Sequence, residues 1–207
     1  MKPILLILAM LFSSAVYCQD KGIGLGLKAG LNFSNVTNAS SINSSSQTGF
    51  HVGAFLAPAS KAILGYRTEL IYSRQGYNYA TNSTSGSVNL DYILLPQMLV
   101  INITKFVQLQ VGMQVAFLLN AKADSSGSSF SGNPYGKLLD YYNKFDYGAA
   151  GGIEVHPFKG LLIGARYNIS FGDLYKTPAS NASVQPSFIP DVNVKNNVLQ
   201  IFTGYRF

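Results

Sequence analysis

Two histidines, one cysteine and a thin set of charges are the groups in this 207-residue chain best suited to chemistry. A metal site needs several His, Cys or carboxylate groups at matched spacing. His51 and His156 are far apart and Cys18 stands alone, so neither a metal nor a cofactor is expected. A nucleophile, a base and an orienting group are the second option. His51 could serve as the base, with Asn32, Ser34, Ser73 and Gln75 as neighbours near an outer rim. No carboxylate falls beside it by spacing, so no catalytic residue is assigned and a hydrogen-bonded histidine is expected. The third set is eight charges: Lys28, Arg67, Arg166 and Arg206 are basic, and Glu69, Asp91, Asp146 and Glu154 are acidic. Placed on one face of suitable elements, they could line a path for ions or neutralise one another.

Those elements are legible. In Phe106–Lys122 the odd positions Val107, Leu109, Val111, Met113, Val115, Phe117 and Leu119 are all apolar, while Gln108, Gln110, Gln114 and Asn120 occupy even positions. A strand sends successive side chains to opposite faces. An alternation this long suits a strand that crosses a bilayer, apolar outward and polar inward. Similar segments run over Gly24–Ser34, Gly49–Leu56, Ile63–Tyr77, Val88–Asn102, Phe145–Val155, Leu161–Asp173 and Asn196–Phe207. In the fourth, Leu90, Tyr92, Leu94, Met98 and Val100 are expected outward, and Asn89, Asp91 and Gln97 inward. Pro96 within it predicts a bulge or a weak place in the ladder. The connections alternate long and short, the long polar ones being Val36–Thr48, Ala80–Ser87, Asp124–Asn143 and Lys176–Lys195.

Together these features predict an all-β chain, an eight-stranded antiparallel transmembrane up-and-down β-barrel with short periplasmic turns and long extracellular loops. An even strand count lets the first strand close on the last. A barrel of this size has an interior that side chains fill, so its inward charges are expected to pair as a salt-bridged plug.

Composition agrees. Charged residues make up 12% of the chain, against about 25% in an ordinary soluble protein. No apolar run reaches the roughly 18 residues of a spanning helix. The net charge of +6 is scattered, with no cluster of five or more Lys/Arg, which argues against a nucleic-acid partner. The start, MKPILLILAMLFSSAVYCQD, has a positive Lys2, an apolar Ile4–Phe12 and a cleavage site after Cys18. Residues 1–18 are thus expected to be a secretory signal peptide and 19–207 the barrel domain. Lipidation of Cys18 is disfavoured because Tyr17 before it is large.

Several motifs recur in a familiar order: GLNFSN at Gly30–Asn35, GFHVGAF at Gly49–Phe55, ELIYSRQGY at Glu69–Tyr77, DYILLPQML at Asp91–Leu99, FDYGAAGGIE at Phe145–Glu154, GARYNISFGDLY at Gly164–Tyr175 and a terminal GYRF. With them the mature chain resembles the outer-membrane β-barrel family that includes PorT-like proteins, small barrels of the OmpA/OmpX type. The resemblance implies an outer-membrane location and, since some relatives are linked to a secretion apparatus, an accessory role in an envelope assembly. Phe207, with Tyr205 two residues before it, looks like the signal read by the barrel-assembly machinery. Expected partners are therefore outer-membrane lipid, that machinery and envelope proteins. The leading expectation is a non-enzymatic structural or interaction protein. A narrow porin-like pore and a rim enzyme acting on lipid or peptide through His51 are the alternatives. The long loops hold few aromatic anchors, Phe130, Tyr135, Phe188 and Ile189 being scattered among Ser, Asn and Gly.

Overall fold

The computed structural model describes residues 23–37, 45–58, 62–80, 85–126, 139, 142–175 and 194–207. The signal segment with Cys18, and Phe130, Tyr135, Phe188 and Ile189, lie outside the described residues. The strands are β1 (Ile23–Thr37), β2 (Ser45–Pro58), β3 (Leu64–Ala80), β4 (Ser85–Asn102), β5 (Val107–Ser126), β6 (Phe145–Val155), β7 (Leu161–Ser170) and β8 (Lys195–Arg206). Each pairs antiparallel with its neighbour in sequence, and β1 pairs with β8 from Gly26↔Arg206 to Thr37↔Lys195, closing the barrel. Closure satisfies the backbone without an open edge in lipid.

The outer wall is apolar at the level of the membrane. Leu27, Leu31, Val52, Val111, Met113, Ile163 and Ile201 are each about half exposed. An exposed apolar belt of that extent belongs against lipid.

The wall is uneven. β7 has 10 residues and β6 has 11, while β4 has 18 and β5 has 20. At about 3.3 Å per residue and a tilt near 40°, ten residues climb roughly 25 Å, the height of the apolar band, and twenty climb about twice that. The strands β3, β4 and β5 therefore rise well beyond the membrane at the long-loop end. Much of what alternation assigned to loops is strand: β1 and β2 extend into the Val36–Thr48 stretch, and β4 starts at Ser85.

Strand β4 faces the opposite way from the expectation. Leu90, Tyr92, Leu94, Met98 and Val100 are buried in the lumen. Asn89, Asp91 and Gln97 share the outer face with their β3 neighbours Gly76, Arg74 and Thr68. Ile93, Leu95 and Leu99 are apolar too, so both faces of this strand read as lipid-facing. What decides is the interior, which at the long-loop end is apolar. Pro96 leaves the β3–β4 pairing without rungs between Thr68↔Gln97 and Ile71↔Leu94, yet the register is the same on both sides. The register shift that involves β4 lies elsewhere, opposite Asp91 and Tyr92, where Leu119 of β5 is the extra residue. It carries Asn120 to the outside and brings Ala121, fully buried, to the inside.

Candidate functional site

One level of the lumen, in the half nearer the short turns, collects charge from four strands. β1 supplies Lys28, β3 supplies Arg67 and Glu69, β6 supplies Glu154, and β7 supplies Arg166; none is more than 2% exposed. Glu69 accepts from Lys28 Nζ at 2.8 Å and from both terminal nitrogens of Arg166 at 2.7 and 2.8 Å. Glu154 accepts from both terminal nitrogens of Arg67 at 2.8 and 3.0 Å and from Gln110 Nε2 at 2.6 Å. The two halves are joined: Arg67 Nη1 is 4.0 Å from Glu69 Oε1, and Arg166 donates to the Gln110 carbonyl. Gln108 accepts from Arg67 at 3.3 Å. At the short-turn side His156 Nε2 lies 2.9 Å from Glu154 Oε1. Fork-to-fork pairs of this kind are the strong form of the ion pair.

Two aromatic rings complete the layer. Arg67 lies over Phe55 at 4.6 Å, and Lys28 and Arg166 lie 4.2 and 5.6 Å from the centre of Phe202. Each contact adds cation–π attraction. The rings occupy space beside bare backbone: a Cβ on Gly26 would overlap the Phe55 ring, and one on Gly164 would sit 2.6 Å from Phe202 Cζ. These glycines are spaces for rings.

Three cations meet two carboxylates in this layer, a balance of +1 rather than the even pairing expected. Asp91 is absent from it. It sits on the outer face, 2.7 Å from Arg74 Nε, with Asn120 Nδ2 at 3.3 Å and the Arg74 guanidinium 5.4 Å from the Phe50 ring. Its position follows from the reversed facing of β4. Asp146 points inward but bonds Ser170 Oγ and the backbone N–H groups of Tyr147 and Gly172, with no cation among the described residues. Arg206 lies at the short-turn mouth, outside the network. Tyr205 and Phe207 are outward and exposed, their rings edge to face at 5.4 Å.

Above the charges is a layer of amides and hydroxyls. His51 Nδ1 is 2.8 Å from Asn32 Oδ1, which also accepts from Gln200 at 3.1 Å. Asn32 Nδ2 reaches Ser73 Oγ at 2.9 Å, and Gln75 and Asn196 continue the chain. His51 is 1% exposed and deep in the lumen, not at the rim. Its partner is an amide, and Ser34 Oγ bonds the Gly76 carbonyl at 2.7 Å instead.

The long-loop end is sealed by an apolar cluster that includes Ile71, Tyr77, Leu90, Tyr92, Leu118, Tyr142 and Tyr175. Tyr142 and Tyr175 come from beyond the strand ends and form a bridge with each other. Their rings are 5.0 Å apart, and both hydroxyls meet that of Tyr77. Asn143 Nδ2 ties the two segments through the Asp173 and Tyr175 carbonyls at 2.6 and 3.0 Å. Burial raises the Tyr142 phenol well above its ordinary pKa and that of Tyr175 to about 12.

Alternation put Gln110 on the inward face but did not single out His156, Phe55, Phe202 or Arg74. Phe55 and Phe202 carried a signal, since each is a large apolar residue on the lumen parity of its strand, opposite a glycine.

A closed ring of eight antiparallel strands, apolar outside and filled within, defines a small outer-membrane barrel. The chain belongs to the outer membrane protein beta-barrel domain family, whose model matches residues 13–176. Among solved structures, the chain is similar to Ail, the attachment invasion locus protein of Yersinia pestis, at 15% identity over 90% of this chain and 99% of that one, with a TM-score of 0.48. It is similar to Neisserial surface protein A at 17% identity over 90% and 100%, with a TM-score of 0.50. It is also similar to OprG from Pseudomonas aeruginosa at 15% over 90% and 97%, with a TM-score of 0.43. These likenesses are of fold. No curated protein matches the chain in sequence.

Proposed function

We propose that this protein is a non-conducting, non-enzymatic outer-membrane barrel that serves the cell envelope as a structural and interaction element. The observation that carries this reading is the filled lumen. The charge layer has its carboxylates committed to Lys28, Arg67 and Arg166, Met98, Phe55 and Phe202 are buried at the same level, and the tyrosine cluster lies above. A cavity of about 20 Å³ beside Arg67 and Gln108 is room for about one water. With the lumen filled in this way among the described residues, the surfaces left to meet other molecules are the exterior ones. The extended β3–β4–β5 wall is a rigid platform of the kind on which recognition is built.

The more specific reading, an accessory role in a secretion assembly, is supported by the ordered PorT-like motifs. A cleaved signal over residues 1–18 and reading of the last strand by the barrel-assembly machinery through Tyr205 and Phe207 belong to the same proposal. The test of the central claim is single-channel recording on the refolded chain from Gln19 to Phe207 in a planar bilayer. A silent bilayer with folded protein is expected. Steady conductance that changes in the Arg67→Ala/Glu69→Ala double variant would make the network the lining of a pore and overturn the proposal.

A further inference from the structure

The short-turn end opens into a cavity of about 350 Å³. Two turns wall it, one carrying Lys105 and Phe106 between β4 and β5, the other carrying His156 to Gly160 between β6 and β7. Arg206 closes it from the end of β8. Lys105, Lys159 and Arg206 are cations, and among the described residues none of them has a carboxylate within 4.0 Å. The acid nearest the floor, Glu154, is turned inward to Arg67 and Gln110, with His156 between it and the cavity. The charge layer behind the floor is itself +1. Among the described residues, the side chains that line this mouth include three cations and no carboxylate.

The apolar rim says what kind of anion. Phe158, beside Lys159, is 73% exposed, and Phe106, beside Lys105, is 48% exposed. Lys105 Nζ stands 4.9 Å over the Phe106 ring. Aromatic side chains next to cations at the ends of spanning strands sit where headgroups meet acyl chains. A free inorganic anion would need the cations alone, whereas a lipid needs both.

We propose that this mouth binds the phosphate of an anionic phospholipid from the periplasmic-side leaflet, with Lys105, Lys159 and Arg206 on the phosphate oxygens and Phe106 and Phe158 in the acyl region. The inference rests on the outer-membrane placement of the barrel and not on the interaction role proposed above. It would hold in a barrel that conducts.

The test is native mass spectrometry of the refolded chain from micelles carrying equal phosphatidylglycerol and phosphatidylcholine, with and without inorganic phosphate. Retention of phosphatidylglycerol over phosphatidylcholine is expected. Each of Lys105→Gln, Lys159→Gln and Arg206→Gln should weaken it about fivefold, the effect of one basic residue at an anionic lipid surface. The Lys122→Gln/Lys144→Gln pair at the opposite end should leave it unchanged, and Phe106→Ser/Phe158→Ser should weaken it without touching charge. Single substitutions at exposed turns keep the test readable even where a triple variant fails to fold. No lipid preference, or an equal loss in the Lys122/Lys144 control, would overturn the proposal. So would full displacement by inorganic phosphate with no effect of the phenylalanine changes, which would mark a site for the free anion.

Discussion

Glu69→Gln is the sharpest probe of the lumen. The carboxylate holds Lys28 and Arg166 at 2.7–2.8 Å and has Arg67 at 4.0 Å, all out of water. The amide keeps the shape but loses the charge and turns an N–H₂ toward three donors. The layer then holds three cations against Glu154 alone, and its balance moves from +1 to +2. Breaking a buried pair from one side costs about 3–5 kcal/mol, because the abandoned partner stays buried. Glu69→Gln should fall in that range. Lys28→Met should behave differently. It removes the surplus cation and leaves Arg166 with Glu69 and Arg67 with Glu154, one to one, so its expected cost is below about 1 kcal/mol. The double variant should be more stable than Glu69→Gln alone, a non-additivity expected of residues in one network. The assay is reversible urea unfolding in lipid vesicles, followed by far-UV circular dichroism because the chain has no Trp. Glu69→Gln within about 0.5 kcal/mol of the parent, the size of an ordinary surface change, would refute the reasoning. So would Lys28→Met as damaging as Glu69→Gln.

Other outcomes follow from the same structure. Gly26→Ala should cost about 1–3 kcal/mol by displacing the Phe55 ring, and Phe55→Leu on top should recover part of it in the same unfolding assay. Cysteine placed at Ile93 should react with a lipid-soluble thiol reagent, and cysteine at Leu94 should not; the reverse pattern would restore the opposite facing of β4. The tyrosine cap should loosen in alkali. A phenol with a raised folded pKa stabilises the folded state fully below its unfolded value near 10 and loses that contribution as pH climbs toward the folded value, about 12 for Tyr175. Amide exchange at Leu174 and Asn143, whose N–H groups donate to the Val194 and Leu174 carbonyls, corrected for its intrinsic pH dependence, should therefore accelerate between those limits. A Tyr175→Phe chain should show a smaller acceleration, and equal profiles would count against the cap.

The sequence by itself determined the wall. Period-two alternation with alternating connection lengths yields eight strands and their order, because lipid outside a barrel demands apolar residues at every second position whatever lies inside. The lumen facing of Lys28, Arg67, Glu69, Glu154 and Arg166 followed from the same rule. The rule failed where the inside is also apolar: in Tyr92–Val100 both faces are largely apolar, and packing decides which is in, Tyr92 and Leu94 joining the cluster with Tyr142, Tyr175 and Leu118 and Met98 lying buried opposite Arg67. It failed again at Leu119, where one extra residue reverses the facing of Asn120, and so Asp91 finds Arg74 and Asn120 on the outer face. Which charges pair was a tertiary matter throughout. Glu69 and Arg166 are 97 residues apart, and only closure of β8 on β1 brings such residues to one level. The Phe55 and Phe202 rings under those cations depend on Gly26 and Gly164 leaving their surfaces bare, a fit between strands that no single strand can specify.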